Sequence, residues 1–114
     1  MAISVKKYVR ADQSIPFQKW FDRLDARAAA KVASALFRMQ SGNLSRIKWF
    51  EGIGEYVIDW GPGDRIYLAR YGEELIILYG GGTKRRQQAD IAHAKALHEE
   101  FKLRKKTAGA TLWN

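Results

Sequence analysis

Residues 2 to 9 alternate, with Ile3, Val5, Lys7 and Val9 on one parity and Ser4, Lys6 and Tyr8 on the other. A period of two with one apolar face predicts a first β-strand. The period then lengthens. Ser14 is placed to cap a helix that carries Pro16 in its first turn, where a missing N–H costs nothing, and Phe17, Trp20, Phe21 and Leu24 recur at helical spacing. Asp25 is placed to cap a second helix over Ala26–Gln40, whose Ala28, Val32, Leu36 and Met39 form one stripe, and Gly42 and Asn43 are placed to stop it. The same residues also read as one helix kinked between Asp22 and Asp25. Residues 44–54 predict a short edge strand followed by a loop, since Arg46 and Lys48 alternate with Ile47, Trp49 and Phe50.

The strongest β signal lies in residues 55–86. Three β-branched and aromatic runs, at 55–60, 65–71 and 75–79, are separated by two reversals rich in Gly and acidic residues, which predicts a three-stranded antiparallel meander. A final helix is expected from about Arg86 to Lys105, with Ile91, Ala94, Leu97, His98 and Phe101 on one side and a cluster of cations at its C-terminal end. Residues 1–106 then make one domain, and 107–114, which lack periodicity, a loose tail. The order strand, two helices, three or four strands, helix is that of an α+β domain. We expect an antiparallel sheet packed on a helical hairpin, with a C-terminal helix and the opposite sheet face partly open.

Composition narrows the chemistry more than the fold. The 114 residues suit a single domain, and twenty Lys and Arg against twelve Asp and Glu give a formal charge of +8, which puts polyanions first among partners. There is no Cys, which removes disulfides, thiolate nucleophiles and Cys-ligated zinc and suits a reducing cytoplasm. Neither a signal peptide nor an apolar run long enough for a membrane helix is visible, so the reading is a cytoplasmic protein. His93 and His98 are five apart, off the spacing that would set two metal ligands on one helix face, so no metal or other cofactor is expected.

Candidate chemistry gathers around the meander. Gly80-Gly81-Gly82 before Lys84 lacks the spacing of a phosphate loop. Yet Lys84, Arg85 and Arg86 follow at once, at a helix start where the dipole disfavours cations, which suggests an arriving anion; a solvated charge run is the plainer alternative. Arg65 shares its strand parity with Tyr67, Ala69 and Tyr71, and a cation among aromatics suits single-stranded RNA, although half-buried strand aromatics explain the pattern too. His93 reads either as a solvated side chain or as a proton carrier beside such a site.

The stretch Tyr56-Val-Ile-Asp-Trp-Gly-Pro-Gly-Asp-Arg-Ile-Tyr67, with Gly80-Gly-Gly-Thr-Lys84 and Asp90-Ile-Ala-His-Ala-Lys-Ala-Leu97, resembles the RelE/ParE toxin superfamily, and within it the HigB-like addiction module killer proteins. The similarity runs from Phe17 to Phe101. It implies a β-α-α-β-β-β-α fold, a toxin of a bacterial type II toxin–antitoxin module, ribosome-dependent cleavage of mRNA, and a cognate helix-turn-helix antitoxin as partner. Carried over, the resemblance makes Arg65, Lys84, Arg85 and Lys48 the catalytic candidates. Arg46, Tyr67, Arg86 and His93 are expected to contact RNA. Where this branch has a basic residue in Glu-Leu-Arg-Ile-Asp, the chain has Val57. A DNA-gyrase inhibitor of the ParE type, or an inactive homologue that binds RNA or antitoxin, is the alternative.

Overall fold

A computed structural model describes residues 2–107 and 111–114. Strand β1 (Ser4–Lys7) is followed by helices α1 (Pro16–Phe21) and α2 (Ala26–Gln40), strands β2 (Ile47–Phe50), β3 (Ile53–Val57), β4 (Arg65–Tyr71) and β5 (Leu75–Gly82), a single 3₁₀ turn over Lys84–Arg86, and helix α3 (Gln87–Thr107). The chain is therefore α+β, and the two N-terminal helices are separate. Asp25 caps α2 by accepting from the Ala28 N–H at 2.8 Å. Ser14 does not cap α1; its hydroxyl donates to Asp12, and Ile15 stands at the cap position.

The sheet order is β1-β5-β4-β3-β2. Four strands run antiparallel, but β1 lies parallel to β5, Ser4 opposite Leu75 through Lys7 opposite Leu78, so the sheet is mixed rather than wholly antiparallel. Topology supplies the reason: the two helices between β1 and β2 form a crossover long enough to return the chain in either direction. The connector at 44–54 holds a full hairpin. Ile47–Phe50 pairs with Ile53–Val57 through a tight turn in which both Glu51 and Gly52 take positive φ.

Each sheet face carries its own core. Phe17, Val32, Ala35 and Met39 of the helical hairpin pack on Ile47, Tyr56, Ile66, Leu68, Ile76 and Leu78. On the other face Ala94, Leu97 and Phe101 of α3 pack on Ile53, Tyr67, Ala69, Ile77 and Tyr79. The expected open face is thus covered along most of α3. The end of the sheet near Val57, Arg65 and Gly82, register partners across three strands, lies beyond the α3 core.

The expected loose tail is corrected over residues 111–114. The Lys7 N–H donates to the Asn114 carbonyl and the Asn114 N–H to the Lys7 carbonyl, both at 2.8 Å, while Val9 donates to Leu112. Leu112 is buried and Trp113 packs beside Phe101 and Tyr71. A periodicity argument misses so short a segment because its apolar side chains find their partners across the chain, on the outer edge of β1. Residues 108–110 lie outside the described residues.

Polar ties fasten α3 to the chain just after β1. Arg10 forms an ion pair with Glu100 at 2.8 Å, and Tyr8 Oη donates to the same carboxylate at 2.6 Å. The bond from Arg10 holds the Glu100 carboxyl below the ordinary glutamate range. Its folded pKa is thus below its unfolded one, so this stabilisation is full above about pH 4.5 and is lost as pH falls through the folded value. We expect Glu100→Gln to cost about 1 kcal/mol at neutral pH. In urea titrations at stepped pH, the difference from the parent should shrink toward zero in acid; a difference independent of pH would refute the assignment.

Candidate nucleic-acid interface

Arg65 opens β4 directly after the turn at 61–64, where Gly61 and Gly63 adopt positive φ and the Asp64 carbonyl accepts from the Ile58 N–H at 2.8 Å. The turn also holds the arginine: its Nη1 donates to the Gly63 carbonyl at 2.6 Å. The Nε lies 3.5 Å from Glu55 Oε2, without a hydrogen bond, and the arginine side chain is only 11% exposed. Glu55 is buried and accepts from Tyr67 Oη at 3.0 Å and from Gln87 Nε2 at 2.8 Å. The Gly63 carbonyl of the turn and Glu55 of β3 therefore hold one guanidinium in a low-dielectric setting, with Tyr67 of β4 and Gln87 of α3 fixing Glu55 in turn.

Tyr67 belongs to that support and not to a stacking surface. Its ring is 1% exposed under α3, and burial followed by the bond to Glu55 pushes the phenol well above its usual range. The parity of β4 does put Arg65 and Tyr67 on one face; what parity lacks is the knowledge that α3 folds back over it. Val57, the register partner of Arg65, is 38% exposed and contributes an apolar rim.

The other expected residues divide between two places. Lys84, Arg85 and Arg86 are all exposed in the 3₁₀ turn that links β5 to α3, and among the described residues none of them forms an ion pair. Lys48 sits opposite Glu55 in the β2–β3 register, which sets it on the same sheet face one strand further out. Arg46 goes elsewhere. It lines a cavity of about 180 Å³ on the α2 side with Lys31, Arg38 and Tyr56, so it does not join Arg65.

Beside the Arg65 row, a cleft of about 370 Å³ runs over the last residues of β5. One wall presents Asp90 and His93, three apart and hence on one face of α3, with Arg86 from the 3₁₀ turn just before it. Asp90 is the residue that sequence reasoning missed, although this spacing was there to find. Its Oδ2 is buried without a hydrogen-bond partner and rests against the Cα of Gly82, where a Cβ would overlap the carboxylate. Burial raises the Asp90 pKa, and Arg86 and His93 pull it partly back. A carboxyl and an imidazole on one wall with Arg86, over a floor whose Gly82 pairs with Arg65 in the sheet, are suited to moving a proton near a phosphate.

The fold and this site define the class: a basic α+β domain whose mixed five-stranded sheet ends in a cationic cleft. The chain is 38% identical over 97 residues to an uncharacterized protein of Haemophilus influenzae, with 83% of this chain and 98% of that protein covered, and it belongs to the same family as that protein. No protein-family profile matches the chain, and no solved structure does. Among the described residues no three His, Cys, Asp or Glu side chains are grouped to hold a metal ion, and no helix is long and apolar enough to cross a membrane.

Proposed function

We infer that the protein is the toxin of a type II toxin–antitoxin module and acts as a ribosome-dependent mRNA endoribonuclease of the RelE/ParE type. The observation that carries the reading is the placement of Arg65, locked by the Gly63 carbonyl and the Glu55 cluster, one strand across from Gly82 and the cations that follow it. A phosphate between them would meet Arg65 from the sheet and Lys84, Arg85 and Arg86 from the turn. Preorganised cations of this kind stabilise charge that develops on the equatorial oxygens.

The chemistry that fits is transphosphorylation within RNA. The 2′-oxygen bonds to the adjacent phosphorus while the bond to the 5′-oxygen breaks, one proton leaving the 2′-hydroxyl and one reaching the departing oxygen. Asp90 and His93 are the groups on the cleft wall able to serve these transfers, and Lys48 is a further cation on the same sheet face. No strong base stands alone in the site, which makes positioning of the message by the ribosome a large part of the rate. A helix-turn-helix antitoxin would neutralise the protein by covering this basic end.

Primer extension on translated messages after induction tests the reading. We expect new 5′ ends to appear within minutes of induction and translation to fall with them. Growth arrest with intact messages would reject the nuclease and favour the inhibitor of a protein target, in the manner of gyrase-directed toxins.

A further inference from the structure

The cleft beside Arg65 reaches further than the chemistry above requires. It crosses the outer edge of β5 and ends on α1 and the turn after it, where Lys19, Trp20 and Arg23 form its second wall. Strand β1 pairs with β5 only as far as Leu78, so Gly80, Gly81 and Gly82 floor the cleft with no strand beside them on that edge. Two of these glycines are dictated by packing. A Cβ on Gly81 would strike the Trp20 ring and the Arg65 carbonyl, and one on Gly82 would strike Asp90.

Gly80 is different. A Cβ there would meet nothing within 4 Å, and its backbone is not among those with positive φ. Neither packing nor a positive φ asks for glycine there; the position follows Tyr79, where the pairing with β4 slips by one residue, and its missing side chain keeps the cleft floor open. A bare glycine on a cleft floor, with no neighbour where a Cβ would stand, permits close approach of a ligand to the backbone. The walls specify the ligand. Across from the wall of Asp90 and His93, the Trp20 indole offers a stacking surface and Lys19 and Arg23 offer charge for phosphate. The volume, about 370 Å³, matches one small ligand or one nucleotide.

We propose that the cleft between α1 and α3 is a nucleotide subsite for single-stranded RNA, with Trp20 against the base and Lys19 and Arg23 on the phosphate that follows. The assignment rests on the RNA reading of the Arg65 site and extends the RNA path from that site across the glycine floor to α1. It makes α1 a determinant of which nucleotide is held next to the scissile phosphate.

The test is binding, so that it stands apart from cleavage. A fluorescein-labelled single-stranded oligoribonucleotide with 2′-O-methyl riboses cannot be cut by attack of the 2′-oxygen, and its anisotropy reports affinity for the purified protein across a salt series. Gly80→Leu, which fills the cleft floor where a Cβ meets open space, is expected to weaken binding at least fivefold with an unchanged circular dichroism spectrum. The pair Lys19→Glu with Arg23→Glu should lower the slope of log affinity against log salt by about 1.4, two contacts at roughly 0.7 each. A control pair of equal charge, Lys102→Glu with Lys106→Glu at the far end of α3, should change it by less than half of that. Absence of binding by the parent protein, equal effects of the two charge pairs, or full affinity in Gly80→Leu would each overturn the subsite. Loss of cleavage by the parent protein with these binding differences intact would remove the nuclease and leave the subsite standing.

Discussion

Replacing Arg65 with alanine is expected to reduce message cleavage in induced cells by about 10²- to 10³-fold, the usual effect of removing one preorganised stabiliser of transition-state charge. The arginine is an unusual choice for a purely structural role. Its Nε has no hydrogen-bond partner, and the acid it faces, Glu55, already accepts from Tyr67 and Gln87. Truncation therefore leaves a buried carboxylate that keeps two donors but loses its counter-charge, at a cost of about 3 kcal/mol, the lower end for a broken buried pair, which a domain of ordinary stability survives. Primer extension measures the loss, and a thermal melt of the purified variant confirms that it folds. Two outcomes would remove Arg65 from the chemistry: cleavage within threefold of the parent, or growth arrest that persists in the variant while messages stay whole. The second would turn the reading toward inhibition of a protein target.

The largest effect on stability is expected at Phe101. Its ring is 2% exposed and sits between Tyr8, Tyr71 and Trp113, with centroids 6.1, 5.7 and 6.3 Å away, so one side chain joins α3, β4, the chain after β1 and the C-terminal segment. Phe101→Ala should cost about 3–5 kcal/mol, transfer and cavity terms together. Urea unfolding gives the number, and the midpoint should fall with little change in slope. A cost under about 1 kcal/mol would mean that the second layer packs too loosely to position α3. Because Asp90 and His93 reach the cleft on α3, and Arg86 stands in the turn that leads into it, activity should fall with stability even though Phe101 lies in the core beneath that helix and lines no part of the cleft.

These two sites show where reading a sequence succeeds and where it stops. Helix α2 was legible to the residue, because Asp25 and the Ala28, Val32 and Met39 stripe are local signals that the tertiary structure reinforces. Strand β4 was legible in its bounds and in its parity, which put Arg65 and Tyr67 on one face. The consequence drawn from parity failed for Tyr67, since alternation says which residues share a face and nothing about what covers it. The β2–β3 hairpin was half seen. Its strands are short and its turn uses Glu51 at positive φ, a position where composition suggests no reversal.

The candidate site divides in the same way. Lys84, Arg85 and Arg86 are adjacent in sequence, so their clustering needed no fold. Glu55 and Gln87 are thirty-two residues apart and meet because β3 and the start of α3 converge on one guanidinium. Lys19, Trp20 and Arg23 lie further still from Gly80, and only the early end of β1 leaves the β5 edge for α1 to flank. What the sequence determined by itself was therefore the set of elements, the basic character and the run of cations after β5, all of which depend on neighbours within a turn or two. Tertiary structure alone decided the parallel placement of β1, the covering of the second face by α3, and the burial of Tyr67 with Glu55 around Arg65. Long-range pairing sets these, because the free energy that chooses among alternatives comes from two separate cores closing on the sheet at once.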